Sequence, residues 1–475
     1  MSRKSRIAAG IILVFAGCLG FWLFARRDCS GMAPSFLPDT PDLSGWSTEW
    51  IATMANLEDS VASKGNIRDL GELGLNYHAN GFYQEASLVY EGMMELDPAN
   101  PLWPYLYADI LSGFGKLEDS IELLNATLRL DPTYPTARLR LAEGLQKLNR
   151  TDEAREQFDS CLESNPKNFH AIIGLARIHM EHQDWGAAET RLRQAISIKP
   201  EIGAPFALLE SVYSQSGRAT DAANIRIAGT GKPAHEEPPD PWKDTLVDRC
   251  QDPYRLRVTA ATPRYENNPD AAIALLERAI RISPDEAAIH RQLGMLLFRN
   301  AQTQQAVSHL ETAVRLAPED PDGWSYLVHI LTETGQYGKA GNQTIIGLSH
   351  CPQAPGLHLE RARQQIAAGD HPSAIRSLQT LIHLRPEESV GYIELARAYF
   401  GIDQVDEGIQ QMRRALEVEP GHPVAITTLT LHAIESGDEN NARRLFADIT
   451  AQLRVPPSDI KQLTAAFLEK FGSQP

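Results

Sequence analysis

The sequence predicts an all-α protein, a helical solenoid of about eleven helix-turn-helix units behind an N-terminal transmembrane helix. Three observations carry this: prolines recur at a fixed stride, small residues recur at one place within it, and a charge-free apolar run lies near the N-terminus. Prolines stand at 98, 132, 166 and 200, then at 284, 318, 352, 386 and 420, in steps of 34 residues broken by one step of 84. Because 84 is twice 34 plus 16, the middle gap reads as two repeats carrying a 16-residue insertion. A period of this size marks stacked supersecondary units, none of which can bury its apolar face alone. Proline closes each unit, since it lacks an amide donor and disfavours helix in the residue before it.

The interior of the unit follows from placing each proline at position 32. Position 20 then holds Ala86, Ser120, Ala154, Ala188, Ala222, Ala272, Ala306, Ala340, Ala374, Gly408 and Ala442, all of them small. Two helices of one hairpin must approach closely there, and a larger side chain would overpack. Position 7 is mostly leucine or aromatic, among them Leu73, Tyr107, Leu141, Leu175, Leu209, Leu293, Leu327 and Leu395. Position 24 is likewise large, as in Tyr90, Phe158, Leu192, Leu276, Leu310, Leu378 and Phe446, while position 8 favours glycine and alanine.

This pattern of columns resembles the tetratricopeptide repeat, over roughly residues 67 to 452. The resemblance implies antiparallel helix pairs stacked in a right-handed superhelix, with a concave groove lined by positions 2, 5, 9 and 12 of each first helix. Two departures stand out. Tryptophan, frequent at position 4 in the family, occurs there only as Trp324, and the ninth unit carries Arg361 and Gln365 at positions 7 and 11, so loose packing is expected there. The tether ahead of Trp103-Pro104-Tyr105-Leu106, and then Asp240-Pro241-Trp242, also resembles anchored repeat proteins of planctomycete-like bacteria, which implies a bacterial, exported setting.

The N-terminus supplies the anchor. Ile7 to Ala25 is a run of 19 residues without a charge, with Arg3, Lys4 and Arg6 before it and Arg26 and Arg27 after it. As a helix it would reach roughly 28 Å, close to the hydrocarbon thickness of a bilayer. A cleaved signal peptide would have a shorter core and a small-x-small site beyond it. A lipoprotein signal at Cys18 is the rival, and it is disfavoured because the apolar stretch continues past the cysteine. The basic flanks lean towards an N-terminus in the cytoplasm and an exported body, periplasmic or on the cell exterior. The expected organisation is a cytoplasmic tip (1–6), the anchor (7–25), a tether and capping helix (26–66), a first array of five units (67–228), a Pro-rich insertion (229–252), a second array of six units (253–452) and a C-terminal capping helix (453–475).

Composition narrows the function. A net charge of −16, from 45 basic and 61 acidic residues, opposes binding of the body to nucleic acid or anionic lipid. None of the five cysteines has C-x-x-C spacing; Cys161 reads as core, and Cys250 and Cys351 leave their pairing open. H-E-x-x-H, G-x-S-x-G and G-x-x-x-x-G-K-[ST] are all missing. His179, His182 and His371 read as solvated, and Glu236-Glu237 lies in a loop unsuited to fixed acid–base geometry. No enzyme, cofactor, metal or small-molecule substrate is indicated. The insertion carries Pro233, Pro238, Pro239 and Pro241, and its Trp242 reads as a plug packed on a neighbouring repeat, with a recognition loop as the alternative.

Function is expected in the groove. Position 9 gives Asp109, Glu143 and Arg177 in the first array and His329, Arg363 and Arg397 in the second. Position 5 adds Tyr105 and Arg291, and position 12 of the second array adds Phe298 and Phe400, with Ile366 and Ile434. The reading is a groove with a basic stretch near the C-terminal array, suited to an acidic or C-terminal peptide beside aromatic anchors. The alternative is that the arginines are solvated and position 12 packs on the next repeat. The expected partners are therefore other proteins or extended peptides, with the membrane engaged through residues 7–25. A second possibility is an accessory or assembly factor for a cell-envelope or cytochrome-maturation system.

Overall fold

The computed structural model of the chain describes residues 29–232, 236–262, 265, 268–452 and 455–475. The expected transmembrane helix at 7–25, with Cys18 inside it and the tip at 1–6, lies outside the described residues. Among the described residues no helix is long and apolar enough to cross a membrane, and all regular structure is helical.

The stride seen in the prolines is reproduced by the helices. Second helices run Tyr83–Leu96, Leu117–Leu130, Thr151–Ser164 and Trp185–Ile198, and later Thr303–Leu316, Tyr337–His350, His371–Leu384, Val405–Val418 and Glu439–Gln452, each start 34 residues after the one before. Around the insertion the starts of Ala219–Gly229 and Pro269–Ile282 are 50 apart, which is 34 plus 16. Proline opens several first helices, as in Pro135–Lys147, Pro253–Ala260, Pro321–Glu333 and Pro355–Ala367, where its missing amide donor costs nothing.

The chain forms two compact units. One holds the residues up to Ile178 together with Pro238–Asp252, and the other His179–Glu237 with Pro253–Pro475. The division thus falls within the fourth repeat, in the helix Phe169–Glu181, and the insertion is shared out between the units.

In the first unit the core is a continuous column of Leu70, Leu73, Tyr77, Tyr90, Tyr105, Leu106, Leu141 and Phe158, all buried. Ala86 and Ala154 are 0% exposed. Helices meet at short range: a Cβ on Gly74 would stand 2.6 Å from Val89 Cγ1. The N-terminal cap is the helix Thr48–Lys64, burying Trp50, Met54 and Val61, with Trp46 against Trp50 at a 4.5 Å centroid distance. The expected tether needs correction. Cys29–Phe36 is a 3-10 helix, Ala33 is buried, and the Phe36 ring lies where a side chain on Gly92 would sit. Apolar residues inside a Pro/Ser-rich stretch have docked it onto the first repeat.

In the second unit Ala188, Ala306, Ala340, Ala374 and Ala442 are 0% exposed, Ala272 1% and Ala222 7%. The ninth repeat replaces apolar packing with polar contacts. Arg361 is exposed, Glu360 turns inward at 5% exposure, and Ser377 donates to Gln365 at 2.9 Å. At the C-terminus the helix Pro457–Phe471 buries Leu463 and Phe467, with Phe467 edge-on to Phe446 at 5.7 Å. His371, expected in solvent, has its ring against Gly401 and a buried Nδ1.

Among the described residues, ten hairpins turn through a left-handed residue at position 15. Six of these are glycine (81, 115, 217, 335, 369 and 437), and the others are Asn149, Gln183, Ala301 and Asp403. Glycine occupies this conformation freely, whereas alanine crowds its Cβ against the carbonyl. Ala301, at φ 60°, has no polar side chain at all to compensate for this crowding. Ala301→Gly should stabilise the chain by about 0.5–1 kcal/mol, and Gly335→Ala should destabilise it by about 1 kcal/mol. Thermal melts of the two variants check the opposite signs, and shifts in the same direction would contradict the assigned turn geometry.

Candidate functional site: two charged inner faces

The inner face of the first unit is occupied. The insertion contains a helix, Pro241–Arg249, begun by Asp240 as its N-cap and lying across the first helices of the first three repeats. Asp240 is 3% exposed. Its carboxylate accepts hydrogen bonds from Tyr105 Oη at 2.5 Å, Tyr134 Oη at 2.8 Å and Arg140 Nη2 at 2.8 Å. Trp242 stacks on Tyr134 with centroids 3.6 Å apart and planes 9° from parallel. Lys243 Nζ reaches Asp109 at 2.9 Å, and Arg249 grips Glu72 with two bonds of 2.9 Å each. The segment's backbone is held as well, by Thr136 donating to Pro239 O and Asn80 donating to Arg249 O. Leu246 is buried.

The electrostatics fit this enclosure. Burial alone would raise the Asp109 carboxyl, but Lys243 and Arg140, with His78 behind them, hold it below the usual carboxylate range. Burial pushes the Tyr105 hydroxyl up, and neighbouring Asp240 adds to the effect, so it stays a donor. Burial would lower Arg140, yet Tyr105, Asp109 and Asp240 together raise it.

Against the sequence reading, Tyr105 and Asp109 belong to one site, but their ligand is the chain's own insertion. Trp242 packs onto the repeats as the plug reading held; the surrounding segment is a helix, which the prolines had obscured. Glu143 is half-buried and Arg177 exposed on the same unit. The missing signal is position 6, where Glu72 and Arg140 stand beside the apolar position 7.

The second unit repeats this scheme with its own charges. Glu360 and Glu394, also at position 6, are 5% and 4% exposed. Arg363 bridges them, with Nη1 3.0 Å from Glu360 Oε1 and Nε 3.2 Å from Glu394 Oε1. His329 adds to one end, 3.4 Å from Glu360, and Arg397 to the other, 3.0 Å from Glu394. The basic stretch expected here is therefore corrected to an alternating ladder, each arginine compensated by a buried carboxylate. Arg291 bonds Asp320 and Asp322 at 3.1 Å. Phe298 is half-buried, its ring edge-on to His329. Phe400 packs over Gly408 and Ile434 is buried, so position 12 largely serves packing. Cys161, Cys250 and Cys351 are buried and form no disulfide, and burial pushes Cys161 up to about 11. Among the described residues no group of three or more His, Cys, Asp or Glu side chains could hold a metal ion.

Stacked helical hairpins with charged inner faces define a helical-repeat protein. The tetratricopeptide repeat model matches residues 147–212 and 264–325. The chain therefore carries tetratricopeptide repeats over those residues. It is similar to cellulose synthase operon protein C of Xanthomonas axonopodis pv. citri, 23% identical over 375 residues, covering 75% of this chain and 21% of that protein. It is also similar to DnaJ homolog subfamily C member 3 of Mus musculus, 21% identical over 364 residues, covering 73% of this chain and 65% of that one. The chain thus spans less than two thirds of the length of these relatives. Among solved structures, yeast Tom70 aligns at a TM-score of 0.40 and 14% identity, covering 85% of this chain and 96% of that one.

The ladder gives its arginines unequal weight. Arg363→Met leaves Glu360 and Glu394 without their shared cation and should cost about 2–4 kcal/mol. Arg397, with its side chain 59% exposed, leaves Glu394 still paired, and Arg397→Met should cost less than about 1 kcal/mol. Urea denaturation compares the two, and equal losses would contradict the bridging role of Arg363.

Proposed function

We propose that the protein is a membrane-tethered scaffold without catalysis of its own, whose inner helical faces hold segments of other proteins. The observation that carries this is the seat of Pro238–Asp252. Inner-face positions 5, 6 and 9 of the first unit supply Tyr105, Arg140, Glu72 and Asp109 to a helical segment, through partly buried ion pairs and hydrogen bonds. In the second unit the same positions carry Tyr326, His329, Arg363 and Arg397, with Tyr326 36% exposed and the Arg397 side chain 59%. Such a face offers aromatic and charged contacts to a partner at little ordering cost, since the buried glutamates already fix the arginines.

The partner favoured for the second unit is an extended or helical segment bearing both signs of charge. The exposed Arg397 end of the ladder suits a carboxylate, as Arg140 suits Asp240. Tethering rests on the 19-residue apolar run at 7–25 and its basic flanks, which favour a cytoplasmic N-terminus and an exported body. Service to a cell-envelope assembly or cytochrome-maturation system is the second reading. The stretch shared with cellulose synthase operon protein C supports its cell-envelope form.

The double variant His329→Ser, Arg397→Ser removes the two exposed ends of the ladder and keeps Arg363 between its glutamates. Crosslinked membranes from cells carrying wild type or variant should differ in the species captured, with specific adducts lost about tenfold or more. Matching adduct profiles from equally stable proteins would remove the second-unit face from the function.

A further inference from the structure

We propose that the inner face of the first unit is a recognition site for a short helical segment headed by an acid, a proline, an aromatic and a base, kept closed by the chain's own copy at Asp240-Pro241-Trp242-Lys243. This concerns a different face from the second-unit ladder, and the two tests read different residues.

The site is built for a carboxylate at its head. Tyr105 and Tyr134 come from the second repeat and Arg140 from the third, and their donors converge on one carboxylate that is 3% exposed. The Tyr134 ring then offers a flat seat, filled by Trp242 at 3.6 Å. Asp109 stands one helical turn further along for a base, and Glu72 receives a second cation, Arg249, with both oxygens. Acid, aromatic and base seats in this order specify a sequence, which general apolar packing would not.

The emptied face would also remain tolerable. Arg140 Nη1 lies 3.5 Å from Asp109, so the two charges most deeply placed by the segment compensate each other when it leaves. The occupant is mostly held by ion pairs and hydrogen bonds, which a segment of the same chemistry replaces in kind. Being covalently attached, the chain's own copy acts at an effective concentration on the order of millimolar. A partner segment therefore displaces it only when tightly binding or locally concentrated, and the face has a built-in threshold.

The test uses the full chain and a fluorescein-labelled synthetic peptide of residues 236–252. Wild type should show no saturable anisotropy change up to about 100 µM peptide, because the attached copy competes. The double variant Asp240→Ala, Trp242→Ala should bind the peptide at least about tenfold more tightly than wild type, and adding Arg140→Met should abolish that binding. A milder variant, Lys243→Ser with Arg249→Ser, keeps the buried head and should bind at intermediate affinity. Helicity by circular dichroism accompanies each titration. Wild type binding as tightly as the opened chain, or a helical opened chain that fails to bind, overturns the proposal. An opened chain that loses helicity, with a milder variant that also fails to bind, overturns it in favour of a fixed strut.

Discussion

Close approach between the two helices of each hairpin is the constraint on which the remaining structure rests. At position 20 the side chain is never larger than serine, and seven of the alanines there are wholly buried. Position 8 answers from the facing helix, where Gly74 meets Val89 at a distance no Cβ could share. Leucine at either column would push the helices apart and break the contact with the next hairpin, since cores of this density accommodate extra methylenes poorly. Because every unit is held the same way, a residue's place in the 34-residue period fixes which face it occupies. The functional chemistry inherits its alignment from that regularity.

Alignment explains why charges can be buried on the inner faces at all. A carboxylate at position 6 of one repeat and a base at position 9 of the same or a neighbouring one fall within ion-pair range, as Glu360, Arg363 and Glu394 do. Desolvating such groups singly would be prohibitive, but a run of alternating signs puts a cation at Oε1 of both Glu360 and Glu394, while their Oε2 atoms stay buried without a hydrogen-bond partner. In the first unit the run is finished by residues from far along the chain: Asp240 answers Arg140, Lys243 answers Asp109 and Arg249 answers Glu72. One design principle thus gives a ladder that is complete in one unit and a ladder completed by an added segment in the other.

The repeats were legible because period and side-chain size are properties of the sequence itself, and proline, alanine and leucine columns report them directly. The helix starts at 83, 117, 151 and 185 follow the proline stride without a slip. The site was legible in part. Tyr105 and Asp109 were found through the groove positions, but their ligand was hidden, since proline-rich composition argues for loop and Pro241 also serves as the first residue of a helix. Position 6 escaped because charge beside a buried leucine column usually means a solvated flank. Only the stacking of neighbouring repeats turns Glu360 and Glu394 inward. Likewise the Cys29–Phe36 stretch has a linker's composition, and its docking depends on the space Gly92 leaves open.

Most contacts in a stack of hairpins join neighbours in sequence, so such chains assemble locally and early. The Arg249–Glu72 pair spans 177 residues and the Asp240–Tyr105 bond 135. These residues can meet only after the repeats that bear Glu72 and Tyr105 have already stacked. During synthesis from the N-terminus, the first three hairpins emerge roughly 75 residues before the segment that covers them, a delay of several seconds at ordinary translation rates. Every new copy of the protein therefore passes through an interval with that face uncovered, when a ligand or a chaperone can reach it without competition.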